Sequence, residues 1–424
     1  MEQQQVVIIG GGPAGATTAL YLLQLGIKPL ILEKETFPRY HIGESLTGEA
    51  GVCLRSLGLE QAMIDHRFPV KHGVVVYGPA GGESFWVPVM RRDAGQLESA
   101  TTWQVRRSTF DKLLLDTAKA RGAEVRPAAA TGILRENGRV DGLTIRNDTG
   151  TEEKVKTGMV VDASGQTTFL ANQGLLGKKE RGNYSKQVGI FSQVKHAVRE
   201  TEQGSRNTLI FYQKKNHWAW LIPIDDEVTS IGVVVPREYF AERRLAAEEF
   251  LRSELQTMNP ELCKRVPDLT FVEPTRSVSN YSYHIKHFAG PGFLCVGDSH
   301  RFIDPIFSFG VNFALKDAEL AAQVVAKNLS GDVTAADALA DYESLSERGQ
   351  DIIQDLVDVF WDYPLRFVVL THHPRHREEM IDMFAGRIFT GEVFKSRALH
   401  ELRRCLSRPA PASKYAPAGN AALS

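Results

Sequence analysis

A glycine-rich turn near the start of the chain follows a short run of β-branched residues, Val6 to Ile9. The turn carries glycines at positions 10, 12 and 15, with the spacing G-x-G-x-x-G. Gly10 permits a tight turn, Gly12 lets a pyrophosphate approach the backbone amides, and Gly15 lets a helix pack closely on the strand. The chemistry that this pattern predicts is dinucleotide binding, and an accidental glycine-rich turn is the alternative.

The elements around this turn must position it for that purpose. A helix is predicted from Ala16 to Leu25, ending at Gly26, with its positive end directed at the phosphates. A second strand, Pro29 to Leu32, ends at Glu33, roughly twenty residues after the turn, where an acid accepts hydrogen bonds from ribose hydroxyls. The order of strand, turn, helix, strand and acid favours a nucleotide site.

Two later segments also have chemistry-bearing spacing. In Trp218–Pro223 the residues Trp218, Trp220 and Ile222 alternate, so a strand would place two indoles on one face as a cavity wall. An aromatic core stripe is the alternative. In Phe302–Gly310, small residues precede a helix predicted to begin near Val311, which leaves backbone amides available to an anion. A helix end that merely packs on a cofactor is the other interpretation.

The composition excludes several classes of function. The 424 residues carry 50 basic and 51 acidic side chains, so no overall field attracts nucleic acid or an anionic membrane. No apolar run reaches the roughly 18 residues of a membrane span, and the first strand leaves no room for a signal peptide, so we expect a cytoplasmic protein. Four scattered cysteines predict neither disulfides nor a metal site, and Pro374 interrupts the helical spacing that histidine ligands at 372–376 would need.

The periodicity predicts an α/β fold with a second, antiparallel part. Residues 159–162 and 293–298 have apolar runs like that of the first strand, which predicts buried strands. From Val188 to Val235 apolar residues recur at every second position, which predicts an inserted antiparallel sheet. Helices follow from residue 313 to residue 406. Further local predictions are an ordered loop at 37–46, a hairpin at 74–88, a mobile loop at 91–100, a helix N-capped by Ser108, a meander at 132–146 and a disordered tail at 407–424.

In order along the chain, the glycine turn, Gln104–Arg107, Val161–Gly165 and Gly297–Asp298 resemble the FAD-binding framework of the p-hydroxybenzoate hydroxylase type. The resemblance implies a Rossmann-like FAD-binding domain made of 1–72, 100–180 and 280–330, an antiparallel substrate domain made of 73–99 and 181–279, and a helical region at 331–406. It also implies the cofactor-binding residues, which are Gly10, Gly12, Pro13, Ala14, Gly15, Glu33, Arg39, Ile42, Gly43, Glu44, Ser45, Arg107, Asp298, Pro305 and Val311.

Both later segments match signatures of flavin-dependent halogenases, W-x-W-x-I-P at 218–223 and F-x-x-P-x-x-S-x-G at 302–310. That resemblance implies that Phe309 and Gly310 bind the halide and that Lys71 is the catalytic lysine, although a lone lysine is more often a solvated charge. It further implies that a substrate passage is lined by Trp218, Trp220, Ile222, Pro223, Phe307 and Ser308.

The substrate branch is indicated by one departure. Phe307 stands where tryptophan-specific halogenases place a glutamate, and the last third of the chain is similar to the phenol- and pyrrole-acting enzymes. The resemblance therefore implies an oxidoreductase that uses FAD, reduced by a separate flavin reductase, with O2 and chloride or bromide. Its substrate would be an electron-rich aromatic, a phenol or a pyrrole, either free or tethered to a carrier protein. The alternatives are an FAD monooxygenase or prenyl-chain reductase of the same fold, and a non-catalytic flavin-binding interaction protein.

Overall fold

The computed structural model describes residues 2–82, 84–181, 186–199, 206–279 and 281–407. Its strands are β1 Glu2–Ile9, β2 Pro29–Glu33, β3 Val70–Lys71, β4 Gly73–Tyr77, β5 Ser84–Pro88, β6 Met90–Asp93, β7 Gln96–Ser99, β8 Thr102–Trp103, β9 Glu124–Glu136, β10 Arg139–Asn147, β11 Glu152–Asp162, β12 Gln187–Lys195, β13 Thr208–Lys214, β14 His217–Pro223, β15 Thr229–Pro236, β16 Thr270–Phe271, β17 Arg276–Ser279, β18 Tyr283–His284, β19 Ala289–Gly290, β20 Phe293–Cys295 and β21 Arg301–Phe302.

Helices connect the strands and form the C-terminal part of the fold. They are α1 Pro13–Gln24, α2 Gly48–Ser56, α3 Glu60–Asp65, α4 Arg107–Ala120, α5 Phe169–Asn172, α6 Arg237–Arg243, α7 Ala247–Thr257, α8 Pro260–Arg265, α9 Gly310–Ser330, α10 Ala335–Asp362, α11 Pro364–His372, α12 Pro374–Ala385, α13 Gly391–Phe394 and α14 Arg397–Leu406. Short 3-10 turns lie at 165–167, 297–299 and 305–307.

The first sheet is the α/β part of the fold that the sequence predicts. Strand β1 pairs in parallel with β2 and β11, while β2 pairs with β9 and β11 with β20 in the same sense. Strand β10 pairs in antiparallel sense with both β9 and β11. Asn137 and Gly138 make the turn between β9 and β10. Because β20 comes from residues near 294 yet adds directly to β11, the sheet is discontinuous in sequence, as predicted.

The second sheet is antiparallel over β12 to β15 and continues into the β4–β5 hairpin through parallel pairing of β4 with β13. Side chains of β14 alternate between two cores. Trp218, Trp220 and Ile222 join the cluster that contains the C-terminal helices. Ala219 and Leu221 lie on the opposite face, in the cluster that contains α7 and α8. The domain boundaries given above stay a prediction.

Three local predictions are wrong in detail. Residues 91–100 are not a loop for most of their length, because β6 and β7 pair as an antiparallel ribbon whose turn contains Ala94 and Gly95 in the left-handed region. The helix predicted to be capped by Ser108 begins at Arg107 and has Arg106 in the N-cap position. Helix α1 begins at Pro13 rather than at the predicted Ala16, because proline suits the first helical position.

The described part of the chain contains no helix that is long and apolar enough to cross a membrane. The predicted tail at 407–424 lies outside the described residues apart from Ser407, which follows α14.

Candidate active site

The glycine turn joins β1 to α1 in the geometry that the spacing predicts. Gly10 has φ +101°, and a Cβ there would lie 2.6 Å from the Ala163 carbonyl oxygen. A Cβ on Gly15 would overlap the Gly10 carbonyl oxygen. A Cβ on Gly12, by contrast, would meet only the tip of Arg39 at 3.4 Å. The backbone at Gly12 is therefore open to a ligand, while the other two glycines are required by packing.

Glu33 holds this turn in place from the end of β2. Its Oε2 accepts a hydrogen bond from the Gly11 amide at 2.7 Å, and its Oε1 accepts one from the Glu35 amide at 2.7 Å. The carboxylate is therefore oriented from both sides beside the turn. Its predicted contact with a ribose stays a prediction.

Arg39 lies beside the open side of the turn at Gly12, and it shares a buried carboxylate with Arg107. The Arg107 guanidinium forms a double ion pair with Asp111, at 2.7 Å from Nε to Oδ1 and 2.9 Å from Nη2 to Oδ2. Its Nη1 also donates to the Ile42 carbonyl at 2.5 Å. Arg39 Nη1 lies 3.7 Å from Asp111 Oδ2. One buried carboxylate thus positions both cations, and these residues fit a cofactor that carries a pyrophosphate.

Asp111 supports a prediction about this pair. Replacing Asp111 by asparagine leaves the Arg107 guanidinium, 6% exposed, without its counter-charge, so we expect the free energy of unfolding to fall by about 3 kcal/mol. Asp116→Asn on the same helix removes the partner of Lys112 from an exposed pair and should change it by less than about 0.5 kcal/mol. Urea unfolding measures both, and equal losses would contradict the role of Asp111.

Asp298 lies in the turn after β20, within the electrostatic reach of Arg107. Burial raises the pKa of its carboxyl to about 7, against the effect of the Arg107 guanidinium. The turn is fixed from behind, since Asp317 Oδ2 accepts bonds from the Gly297 amide at 2.9 Å and from His300 Nε2 at 2.9 Å. Asp298 is therefore held rigidly on the same side as Arg107.

Lys71 is buried in the β3–β8 pair, and its amine makes hydrogen bonds to the segment that precedes α2. Its Nζ donates to Ser45 Oγ at 2.8 Å and to the Leu46 carbonyl at 2.8 Å. Only 2% of its surface is exposed. Burial lowers the pKa of this amine to about 7. No carboxylate of the described residues pairs with this amine, so Lys71 is not a solvated surface charge but a candidate reactive amine.

The segment 37–48, which we call the strap, links Lys71 to the second sheet. Ser45 Oγ is 2.7 Å from Thr208 Oγ1 at the start of β13. The neighbouring Glu44 is buried beside Ser230, whose Oγ accepts a bond from Trp220 Nε1 at 3.1 Å. Burial raises the pKa of the Glu44 carboxyl. Polar contacts therefore lead from Lys71 along the strap to Trp220, whereas none among the described residues joins Lys71 directly to an indole.

The two indoles lie side by side under the strap. Their ring centroids are 5.7 Å apart, and both side chains are at least nine-tenths buried. Phe191 lies 6.1 Å from Trp220 and 6.3 Å from the strap residue Tyr40. The indoles share a face with Ile222, as the alternation predicts, and Pro223 ends β14. Their role as the wall of a substrate passage stays a prediction.

The predicted halide segment forms a tight turn at the start of α9. Pro305 to Phe307 make one 3-10 turn, Ser308 adopts φ +62°, and α9 begins at Gly310 rather than at Val311. Phe309 is buried in the N-cap position and Gly310 has no atom within 4 Å of where a Cβ would stand. The end of this helix is thus free of side-chain obstruction at Gly310, which fits an anion site.

Phe307 points away from polar groups into an aromatic cluster of the C-terminal helices. Its ring is parallel to that of Phe367 at 5.9 Å and lies edge to face with Phe360 and Phe384 at 5.3 Å and 5.2 Å. No acid or base stands at this position, so a substrate near Phe307 would meet apolar aromatic surface.

The comparisons with known proteins agree with this architecture. Residues 3–358 match the family described as FAD binding domain. The chain is 37% identical over 391 residues to 1H-pyrrole-2-carbonyl-[peptidyl-carrier protein] brominase of Pseudoalteromonas luteoviolacea, covering 92% of this chain and 94% of that one. It is 28% identical to the corresponding chlorinase of Pseudomonas fluorescens, covering 91% and 90%.

Solved structures give the same result. The flavin-dependent brominase Bmp2 superimposes with a TM-score of 0.89 at 36% identity, covering 96% of this chain and 98% of that one. The myxobacterial chondrochloren halogenase CndH superimposes with a TM-score of 0.79 at 27% identity, covering 96% of this chain and 97% of that one. Fold and site therefore define an FAD-binding oxidoreductase. The chain belongs to the FAD binding domain family and, within it, to the flavin-dependent halogenases.

Sequence reasoning missed the groups that hold the site residues in place. These groups are Asp111, Thr208, Ser230 and Asp317, whose contacts with site segments range from 4 to 163 positions in sequence separation. Asp111 alone had a local signal, because it stands four residues after Arg107 on one helix face.

Proposed function

We propose that the chain halogenates a pyrrole-2-carbonyl group carried as a thioester on a peptidyl carrier protein. Both pyrrole-carrier halogenases reported above match more than nine-tenths of this chain. Supply of reduced FAD by a separate flavin reductase and a cytoplasmic location are part of the proposal. Chloride or bromide would bind at Phe309 and Gly310.

The observation that carries the proposal is the setting of Lys71. Two hydrogen bonds of 2.8 Å to Ser45 and Leu46 are the bonds that Lys71 Nζ makes within the part of the chain that the structure describes, which leaves one N–H of an ammonium group there, and the residue is almost fully buried. FAD, when bound and reduced, supplies the electrons with which O2 and halide yield hypohalous acid. Lys71 would then direct the electrophilic halogen, as an ammonium hydrogen-bond donor or as a transient haloamine.

The surroundings of Lys71 suit this chemistry. Trp218 and Trp220 present apolar surface, which would exclude water and keep the organic substrate apart from the cofactor. Phe307 and its aromatic neighbours offer no proton acceptor. A pyrrole is electron-rich enough to react without deprotonation by a protein base, so the absence of an acid at position 307 is compatible with this substrate.

The test is a reconstitution with FAD, a flavin reductase, NADH, O2, bromide or chloride, and pyrrolyl-loaded carrier protein. Intact-protein mass spectrometry should show halogen replacing hydrogen on the loaded carrier only. Reactions without halide and with free pyrrole-2-carboxylate serve as controls. A hydroxylated or reduced product formed without halide would contradict the proposal and favour a monooxygenase or reductase.

The pH profile should reveal which form of Lys71 acts. Since burial brings the pKa to about 7, the ammonium form is lost as pH rises through 7. We expect single-turnover halogenation to fall over that range, which is the result that an ammonium donor predicts. Asp298 titrates near the same pH, so peroxide release without substrate is measured in parallel. A halogenation rate that rises with pH would instead indicate the neutral amine and a haloamine.

A further inference from the structure

Helix α11 has apolar residues on two opposite faces, although only one of them is packed. Phe367, Leu370 and Thr371 are buried against the C-terminal core. The other face is exposed to solvent, with Leu365 82%, Val368 37% and Val369 60% exposed. A helix that is apolar all round normally has protein on all sides, so this exposed face lacks a partner.

The exposed residues form one continuous surface. Positions 365, 368, 369 and 372 follow the spacing of a single helix face, which places His372 beside the two valines. Trp86 of β5 is 50% exposed, and its side chain and that of His372 line one small cavity together with Arg377. We call Trp86, Leu365, Val368, Val369 and His372 the outer face of α11.

The rim of the outer face is strongly basic. Residues 363–377 contain three arginines, three histidines and no acid. Among the described residues, Arg366, Arg375 and Arg377 form no ion pair, unlike Arg92 and Arg387 nearby, which are paired with Asp382. An apolar strip bordered by unpaired guanidinium groups is complementary to a partner with an apolar strip and acidic surroundings.

The outer face is also close to the candidate substrate region, which lies on the opposite side of α11. Phe367, on the inner side of the same helix, stacks on Phe307 with ring planes 1° apart. Phe307 stands two residues before the predicted halide residue Phe309. Only the thickness of one helix, about 10 Å, therefore separates the outer face from the aromatic surface beside the halide turn.

We infer that the outer face of α11 is the docking site for the acidic surface of the carrier protein that delivers the substrate as a thioester. The inference rests on the proposed function, since it needs a carrier-bound substrate. A second copy of this chain fits less well, because a symmetric contact would bring the same arginines together. A small apolar strip with a charged rim suits a transient complex that must release its partner after each turnover.

The test compares carrier-bound substrate with a small thioester that needs no docking. The variants are Val369→Glu, which places an acid on the apolar strip, and Arg366→Glu with Arg375→Glu, which reverse the rim. We expect KM for pyrrolyl-loaded carrier to rise at least tenfold with kcat unchanged. Turnover of pyrrole-2-carbonyl N-acetylcysteamine thioester should stay within twofold of the wild type. Val333→Glu, at a residue 97% exposed on another surface, is the matched control and should change neither.

The outcomes separate the two proposals. If the wild type does not halogenate loaded carrier at all, the proposed function fails. If the wild type does so and the variants keep its KM, the docking site is overturned. It is also overturned if light scattering shows a wild-type dimer that Val369→Glu dissociates. Circular dichroism melts confirm that each variant is folded.

Discussion

Replacing Lys71 by methionine is expected to abolish halogenation, by at least a thousandfold, while FAD binding stays within twofold of the wild type. The amine donates its hydrogen bonds to Ser45 and Leu46 of the strap, and among the described residues it makes none to the glycine turn. Methionine keeps the volume of the side chain and removes the cost of burying an amine. The melting temperature should therefore stay within a few degrees.

The measurement separates chemistry from assembly. Flavin fluorescence titration gives the FAD affinity, and peroxide release on reoxidation reports that reduced cofactor still reacts with O2. Lys28→Met, at an exposed lysine in the turn before β2, is the matched control and should leave halogenation unchanged. Undiminished halogenation by Lys71→Met would remove Lys71 from the mechanism.

The parts of the fold that the sequence predicts best are those encoded by local pattern. The β1 strand, the turn at Gly10 and the acid at Glu33 follow one another within a short stretch, and each has a distinct residue type with a stereochemical reason. The alternation of Trp218 and Trp220 likewise predicts that the two side chains lie on one face of a strand, and the structure confirms this.

Other features could not be read in the same way, because they depend on pairing across the chain. Residues 90–99 have no alternation of apolar residues, yet they form a ribbon, and Arg92 of this ribbon pairs with Asp382 of α12. The environment of Lys71 depends on strap residues some 25 positions earlier. No spacing within one segment reveals such a contact, so a resemblance was needed to single out this lysine.

The strap lies between the amine of Lys71 and the indole of Trp220, which come from separate elements and are predicted to serve one site. Lys71 comes from β3, Trp220 from β14, and the polar groups between them are Ser45 and Glu44 of the strap, with Ser230 of β15. Glu44 has one buried carboxylate oxygen without a hydrogen-bond partner among the described residues. Such an oxygen is costly to bury, and this desolvation is what raises the pKa of the Glu44 carboxyl.

Gly15→Ala and Gly12→Ala should fail for different reasons, although both lie in the same turn. A Cβ on Gly15 overlaps the Gly10 carbonyl oxygen, so α1 must move from β1, and we expect the melting temperature to fall by roughly 5 °C or more. Gly12 has φ −70°, which alanine adopts freely, and its added Cβ meets only the tip of Arg39. The fold should survive, but FAD affinity should fall at least tenfold, because the methyl group occupies the approach of the pyrophosphate.

Thermal melts without FAD and flavin titrations together test this difference. Gly391→Ala is the control, because it lies at the start of α13 with no atom within 4 Å of the added Cβ. It should leave both the melting temperature and the FAD affinity unchanged. If Gly12→Ala binds FAD as the wild type does, the pyrophosphate does not approach the backbone at this residue. The cofactor would then be positioned chiefly by Arg39 and Arg107, and the glycines would serve only the packing of α1 on β1.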